Sequence, residues 1–369
     1  MRYQRRAAAV GLIAASALLL GACGSDENAS GGGVSAAPGV TCGGKPDLRS
    51  SGSSAQNNAM TRFVATYQQT CQGQTLNYTP SGSGAGRNEF LGGQTDFAGS
   101  DSALKDGDET TRAQQRCASP AWNLPLVFGP VAIAYNLPGV TDLVLDGPTA
   151  ARVFNGQVAT WNDPAIAALN PGKQLPAAPI VVNFRSDESG TTENFQKYLV
   201  AASNGAYGKE AGQTFNGGVG AGARGSQGVA DATRNTPNSV TYVESSFAQR
   251  GGLAMAQIIN SGGGQAVPLS TESVGTAVNN VQVTGQGNDL KLNLDSLYQT
   301  QAPGAYPIAL ATYEIVCSNY ADDATAGAVR AFLQTSLSPN AQQALPDAGY
   351  VPLPDQFKQR LTTAVNAIQ

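Results

Sequence analysis

Phe184-Arg185-Ser186-Asp187-Glu188-Ser189-Gly190-Thr191-Thr192 follows an apolar segment, Ala178-Pro179-Ile180-Val181-Val182, and leads into an amphipathic one, Thr192-Glu193-Asn194-Phe195-Gln196-Lys197-Tyr198-Leu199. The first flank reads as a buried strand and the second as a helix. Hydroxyls, a glycine and free backbone N–H groups therefore collect at a strand-to-helix junction, with one arginine just ahead of them. A helix N-terminus carries unsatisfied N–H donors and a partial positive charge, so it suits an anion. Arginine adds a planar fork of donors matched to carboxylate or phosphate oxygens.

The same alternation extends outward. Gln56–Thr70 places Ala59, Met60, Phe63, Val64 and Tyr67 on one helical face. Thr75–Tyr78, Asp96–Asp101, Leu124–Tyr135, Val240–Val243 and Ile308–Cys317 read as strands. Asn88–Leu91, Pro148–Asn155, Pro164–Leu169, Ala324–Thr335, Pro339–Leu345 and Pro354–Ile368 read as helices, and Ala248–Ile259 as a mixed helical stretch interrupted by Gly251-Gly252. The Gly-rich region 203–238 resists assignment. Strands alternating with helices set the class as α/β.

The beginning of the chain is a targeting segment. Arg2, Arg5 and Arg6 precede an apolar run from Ala7 to Leu20 that is short for a membrane span. Leu20-Gly21-Ala22-Cys23 resembles a bacterial lipobox, which makes 1–23 a lipoprotein signal peptide and Cys23 the lipidated residue. The plainer alternative is an ordinary signal peptide with an incidental cysteine. Residues 24–41, rich in Gly, Ser, Ala and Asn, read as a flexible tether. The expected body is globular, held at the membrane surface by its acyl chains alone.

Composition narrows the chemistry. Charged residues make up 13% and the net charge is −4, with no basic block, which argues against nucleic acid. The chain has no histidine, which excludes a Ser-His-Asp hydrolase and disfavours zinc. Besides Cys23 there are Cys42, Cys71, Cys117 and Cys317, whose long irregular spacings suit disulfides in an exported protein better than a metal site. Three connectivities are open. The expected one joins Cys42 to Cys71, clipping the body's start to the end of its first helix, and Cys117 to Cys317, which requires the chain's end to return to its first part.

Four Gly/Ser-rich junctions stand out: Gly52-Ser53-Ser54-Ala55, Ser81-Gly82-Ser83-Gly84, Ser100-Asp101, and Arg185 to Thr191. Singly, each reads as a helix cap, a solvated turn or a surface ion pair. Gly82-Ser83-Gly84-Ala85-Gly86 is neither a P-loop nor a dinucleotide fingerprint. Together the four form a donor-rich set with one cation and one lone acceptor, of the kind that gathers at the carboxyl ends of strands in α/β sheets.

Six motifs carry a more specific likeness: Ser81-Gly82-Ser83-Gly84-Ala85-Gly86, Asp96-Phe97-Ala98-Gly99-Ser100-Asp101, Ala134-Tyr135-Asn136-Leu137-Pro138-Gly139, Trp161-Asn162-Asp163-Pro164-Ala165-Ile166, Leu169-Asn170-Pro171-Gly172 and Arg185-Ser186-Asp187-Glu188-Ser189-Gly190-Thr191. In order and spacing, over nearly the whole mature chain, it resembles the phosphate-binding lipoproteins of bacterial high-affinity phosphate ABC transporters, a periplasmic-binding-protein-like family. The resemblance implies two α/β lobes joined by two hinge crossovers, with the ligand cleft between them. Lobe I is then 42–128 plus 304–369, and lobe II is 129–303. It implies inorganic phosphate as ligand, permease and ATPase subunits of an ABC transporter as partners, a lipid-anchored place on the outer face of the cytoplasmic membrane, no cofactor and no catalysis. Carried over by motif, the ligand contacts are Ser54, the backbone of Ala55, Ser83, Asp101, Arg185, Ser189, Gly190 and Thr191, with Asp187 holding Arg185. Two positions depart from the pattern. Ser54-Ala55 stands where the family has a Thr-Phe-Pro-like sequence, and Glu188 replaces a small residue.

Such a set would distinguish anions by their protons. Donors satisfy ionised oxygens, and Asp101 accepts from a protonated one, so sulfate, which carries no proton, is repelled. Alternatives are a receptor for another protonated oxyanion such as arsenate, a secreted phosphoesterase-like enzyme, and an adhesin or sensor that keeps the fold without the ligand.

Overall fold

The computed structural model describes residues 39–369. The signal segment, Cys23 and residues 24–38 of the tether lie outside the described residues. Strands run in the order β1 (Asp47–Gly52), β2 (Thr75–Thr79), β3 (Phe97–Ser100), β4 (Ala121–Asn136), β5 (Val144–Asp146), β6 (Val181–Arg185), β7 (Ala221–Ala223), β8 (Ser239–Glu244), β9 (Ala254–Met255), β10 (Gln257–Ile259), β11 (Gln282–Val283), β12 (Leu292–Asn293) and β13 (Ala309–Cys317). Nine form one mixed sheet in the order β2-β1-β3-β13-β4-β8-β6-β7, with β9 also paired to β4. β5 pairs with β10 and β11 with β12.

β4 holds this sheet together. Its apolar run is buried from Asn123 to Tyr135, as a strand covered on both faces requires. Residues 121–130 pair with β13, and residues 131–136 pair with β8. One strand thus serves two half-sheets and changes partner between Pro130 and Val131. The ladder shifts register between Thr312 and Tyr313, where Val127 and Pro125 are their partners and Leu126 is the extra residue. Proline has no N–H to give a central ladder, and a bulge accommodates it while re-aiming the neighbouring side chains.

Helices follow the strands. α1 (Asn57–Thr70) comes after β1, α2 (Ser83–Leu91) after β2 and α3 (Asp108–Cys117) after β3. α4 (Gly147–Phe154) and α5 (Pro164–Leu169) lie between β5 and β6; α6 (Gly190–Ala202), α7 (Gly225–Asn235) and α8 (Ser245–Arg250) follow β6, β7 and β8. Two aromatic clusters fill the core. Phe332 packs against Tyr67 and Phe97 at 5.4 and 5.6 Å between centroids, beside β1–β3. Phe195 stacks on Tyr242 at 4.6 Å and meets Phe154 edge-on at 4.7 Å, beside β6 and β8.

Most expected elements form, with shifted ends. α6 begins at Gly190 rather than Thr192, because Ser189 caps it. α2 begins at Ser83 rather than Asn88, its glycines lying against β1: a Cβ on Gly86 would come within 2.3 Å of Gly52 Cα. The helix expected over Ala248–Ile259 is corrected. It stops at Arg250, Gly252 turns the chain at φ +65°, and β9 and β10 follow. The unassigned 203–238 region contains β7 and α7, and α3 escaped notice because only Ala113 and Cys117 are buried on it. Both expected disulfides are present, Cys42–Cys71 and Cys117–Cys317, across sequence separations of 29 and 200. Among the described residues no helix is long and apolar enough to cross a membrane.

Candidate functional site

Asp101 leaves the end of β3 and is 4% exposed. Its Oδ1 accepts from Ser53 Oγ at 2.6 Å and from Thr312 Oγ1 at 2.7 Å, and its Oδ2 accepts from Ser83 Oγ at 3.0 Å. Burial pushes this carboxyl up to about 6; the hydroxyls of Ser53, Thr312 and Ser83 work against the rise, and the Glu244 charge adds to it. It is therefore chiefly ionised at neutral pH. A carboxylate offers about four lone-pair sites. Three are occupied, and one on Oδ2 remains.

Arg185 ends β6 and is 2% exposed. Asp187 grips it by two bonds, from Nε at 2.8 Å and from Nη2 at 2.5 Å, and accepts from Gly225 N at 3.0 Å. Burial works against the Arg185 charge, but Asp187, and after it Glu244, outweigh burial and hold the guanidinium above its usual range. The same pair holds Asp187 below the usual carboxylate range despite its burial. Nη1 reaches Ser226 Oγ at 3.2 Å and Thr191 Oγ1 at 3.4 Å.

Four helix starts converge here. Ser189 Oγ caps α6 by accepting from Thr192 N at 3.1 Å, which leaves its own O–H uncommitted. The amides of Gly190 and Thr191 open α6 and have no intrahelical acceptor. Ser226 N, at the start of α7, donates to Ser54 Oγ at 3.0 Å, just ahead of α1. Gly190 lies against the start of α2 so closely that a Cβ there would come within 2.5 Å of Asp101 Cβ and 2.8 Å of Ser83 Oγ.

Polar contacts join the two walls. Asn194 Nδ2 donates to Asp101 O at 2.8 Å, Ser102 Oγ to Glu193 Oε2 at 2.6 Å, and the buried Arg87 to Gln213 Oε1 at 2.8 Å. Gly84 N donates to Glu188 O at 3.0 Å. Glu188 has its side chain exposed and lying over Gly84, where a Cβ would meet Glu188 Cβ at 2.5 Å. The extra carboxylate thus sits at the rim, and the main chain of Glu188 makes the contact between walls.

The structure gathers Ser83, Asp101 and Gly190 into one set of contacts, and Ser54, Arg185, Asp187 and Thr191 into another that Ser226 completes. Ser189 caps the helix between them. The Ala55 N–H donates to Ser53 Oγ at 3.1 Å. Sequence reasoning missed Ser53, Thr312, Ser226 and Glu244. Ser53 lies in a quoted junction, whereas the other three carry no local signal. Among the described residues no cluster of His, Cys, Asp and Glu could hold a metal ion.

Residues 28–340 match a family model described as a PBP superfamily domain. Over the full length of both chains, the sequence is 57% identical to phosphate-binding protein PstS 3 and 54% identical to phosphate-binding protein PstS 2, both of Mycobacterium tuberculosis. A solved high-affinity periplasmic phosphate-binding protein, PfluDING, bound with phosphate, superposes with a TM-score of 0.69 at 25% identity, covering 86% of this chain and 93% of that one.

Proposed function

Since the chain belongs to the PBP superfamily, we propose that it is an extracytoplasmic substrate-binding protein that captures inorganic phosphate and delivers it to an ABC transporter. It binds and releases its ligand without turning it over, as the full-length likeness to named phosphate-binding proteins supports. The finer reading is that Cys23 carries a lipid anchor on the outer face of the cytoplasmic membrane, and that the partners are permease and ATPase subunits. Lobe I is 42–128 plus 304–369 and lobe II is 129–303, a division supported by the change of partner along β4.

One observation carries the ligand assignment: Asp101 is a buried carboxylate with a single free acceptor site, beside the start of α6. Ser54, Ser189, the amides of Gly190 and Thr191, and Arg185 satisfy ionised oxygens, and Asp101 takes the ligand proton. A fully ionised anion instead sets an unscreened charge against Asp101. At about 3 Å and an effective dielectric of about 20, two unit charges repel by roughly 5 kcal/mol. Even half of that rejects sulfate by about two orders of magnitude. The test is titration of phosphate and sulfate into the wild type and Asp101→Asn. Discrimination should fall more than phosphate affinity does; unchanged selectivity would remove Asp101 from this role.

A further inference from the structure

Glu244 closes β8 and is fully buried, yet the set of ligand contacts above gives it no part. Its Oε1 accepts from Thr191 Oγ1 at 2.6 Å, and its Oε2 is buried with no hydrogen-bond partner among the described residues. Its charge reaches both Asp101 and Arg185. A half-satisfied carboxylate in a buried wall destabilises a fold, so its presence calls for an explanation.

The explanation lies in the Thr191 hydrogen. A hydroxyl has one proton to donate. Thr191 gives that proton to Glu244, while its oxygen receives Arg185 Nη1 at 3.4 Å. Toward the cleft the Thr191 oxygen can therefore only accept. We propose that Glu244 is a positioning residue for selectivity: it turns the Thr191 hydrogen away from the ligand, so that Thr191 becomes a second acceptor facing Asp101 from the other wall. Two acceptors then share the rejection of fully ionised anions. A protonated oxyanion can donate to either of them, whereas sulfate meets lone pairs at both. This rests on the phosphate reading above and adds the Thr191 hydroxyl to it as an acceptor; as a donor that hydroxyl would favour both anions alike.

The test is calorimetric titration of inorganic phosphate and inorganic sulfate into the full chain, Thr191→Val, Glu244→Leu and the double variant. Thr191→Val removes one of the two acceptors, so the phosphate-to-sulfate affinity ratio should fall about tenfold, the worth of one hydrogen bond. Glu244→Leu removes the acceptor and frees the Thr191 hydrogen, so sulfate should gain about tenfold while phosphate changes less. In the double variant the sulfate gain should vanish. Equal weakening of both anions by Thr191→Val, or a wild-type phosphate-to-sulfate ratio in Glu244→Leu, overturns the proposal. A merely structural Glu244 would move both affinities together. If Glu244→Leu does not fold, Thr191→Val decides alone. A wild-type chain that binds neither anion refutes the phosphate reading itself, a result distinct from selective binding that both variants leave untouched.

Discussion

Replacing Glu314 with glutamine should make the protein resistant to alkali. Glu314 lies in β13 two residues beyond Thr312 and is fully buried, with no close hydrogen bond to either carboxyl oxygen. Burial pushes its carboxyl from 4.5 up to about 8; the Gln56 amide opposes the shift and the Asp101 charge adds to it. The folded chain thus keeps a proton that the unfolded chain gives up. Because the folded value is the higher one, the stabilisation from that proton is complete below pH 4.5 and is lost as pH rises through about 8. At about 1.36 kcal/mol per pH unit the loss is about 3 kcal/mol at pH 7 and about 5 kcal/mol above pH 8. Glutamine keeps the shape and cannot ionise. With an unfolding entropy of about 2 cal/mol/K per residue over roughly 330 residues, 5 kcal/mol corresponds to about 7 °C. Thermal denaturation followed by circular dichroism, in phosphate-free buffer so that no ligand adds stability, should give similar Tm values for both proteins at pH 5. At pH 9 the variant should melt about 7 °C higher. Parallel Tm curves between those two pH values would refute the reasoning, since the Asp101 contribution is common to both proteins.

Two further outcomes follow from geometry. Gly190→Ala drives a Cβ to 2.5 Å from Asp101 Cβ and so forces the walls apart; at about 1–3 kcal/mol for overpacking, phosphate affinity by titration should fall roughly 5- to 150-fold, and wild-type affinity would contradict the contact. Replacing Cys117 and Cys317 together by serine opens a loop of 200 residues, which should lower stability by about 2–5 kcal/mol in a denaturant titration while the unreduced Cys42–Cys71 clip remains.

The β6–α6 junction was legible because its signals are local. An apolar strand, a capping serine and an apolar helical stripe lie within about twenty residues. The cysteine pairing was legible too, since few partners exist. Thr312 was not. It reaches Asp101 from a strand more than 200 residues away, through an antiparallel pairing and a bulge that no window of sequence displays. Ser226 was hidden in a Gly-rich stretch whose helix depends on packing against β8 rather than on propensity. Glu244 read as the end of a strand, and only its placement beside Thr191 gives it a consequence. The Ala55 amide donates to the serine two residues earlier, a contact that depends on the turn after β1 and not on any sequence pattern.

The Cys117–Cys317 bond also has a mechanical consequence. It bridges a sequence separation of 200, and everything from β4 to the far end of β13 lies inside the loop it closes. A force applied between the two ends of the chain passes across the sulfur bridge and bypasses Arg185, Ser189 and Glu244 entirely. The enclosed part bears no tension and adds nothing to the extension, which is shortened by about 700 Å of contour relative to the reduced chain. Stretching the oxidised protein would peel away only the segments outside the loop. The wall that holds the arginine would stay folded under loads that dismantle its partner.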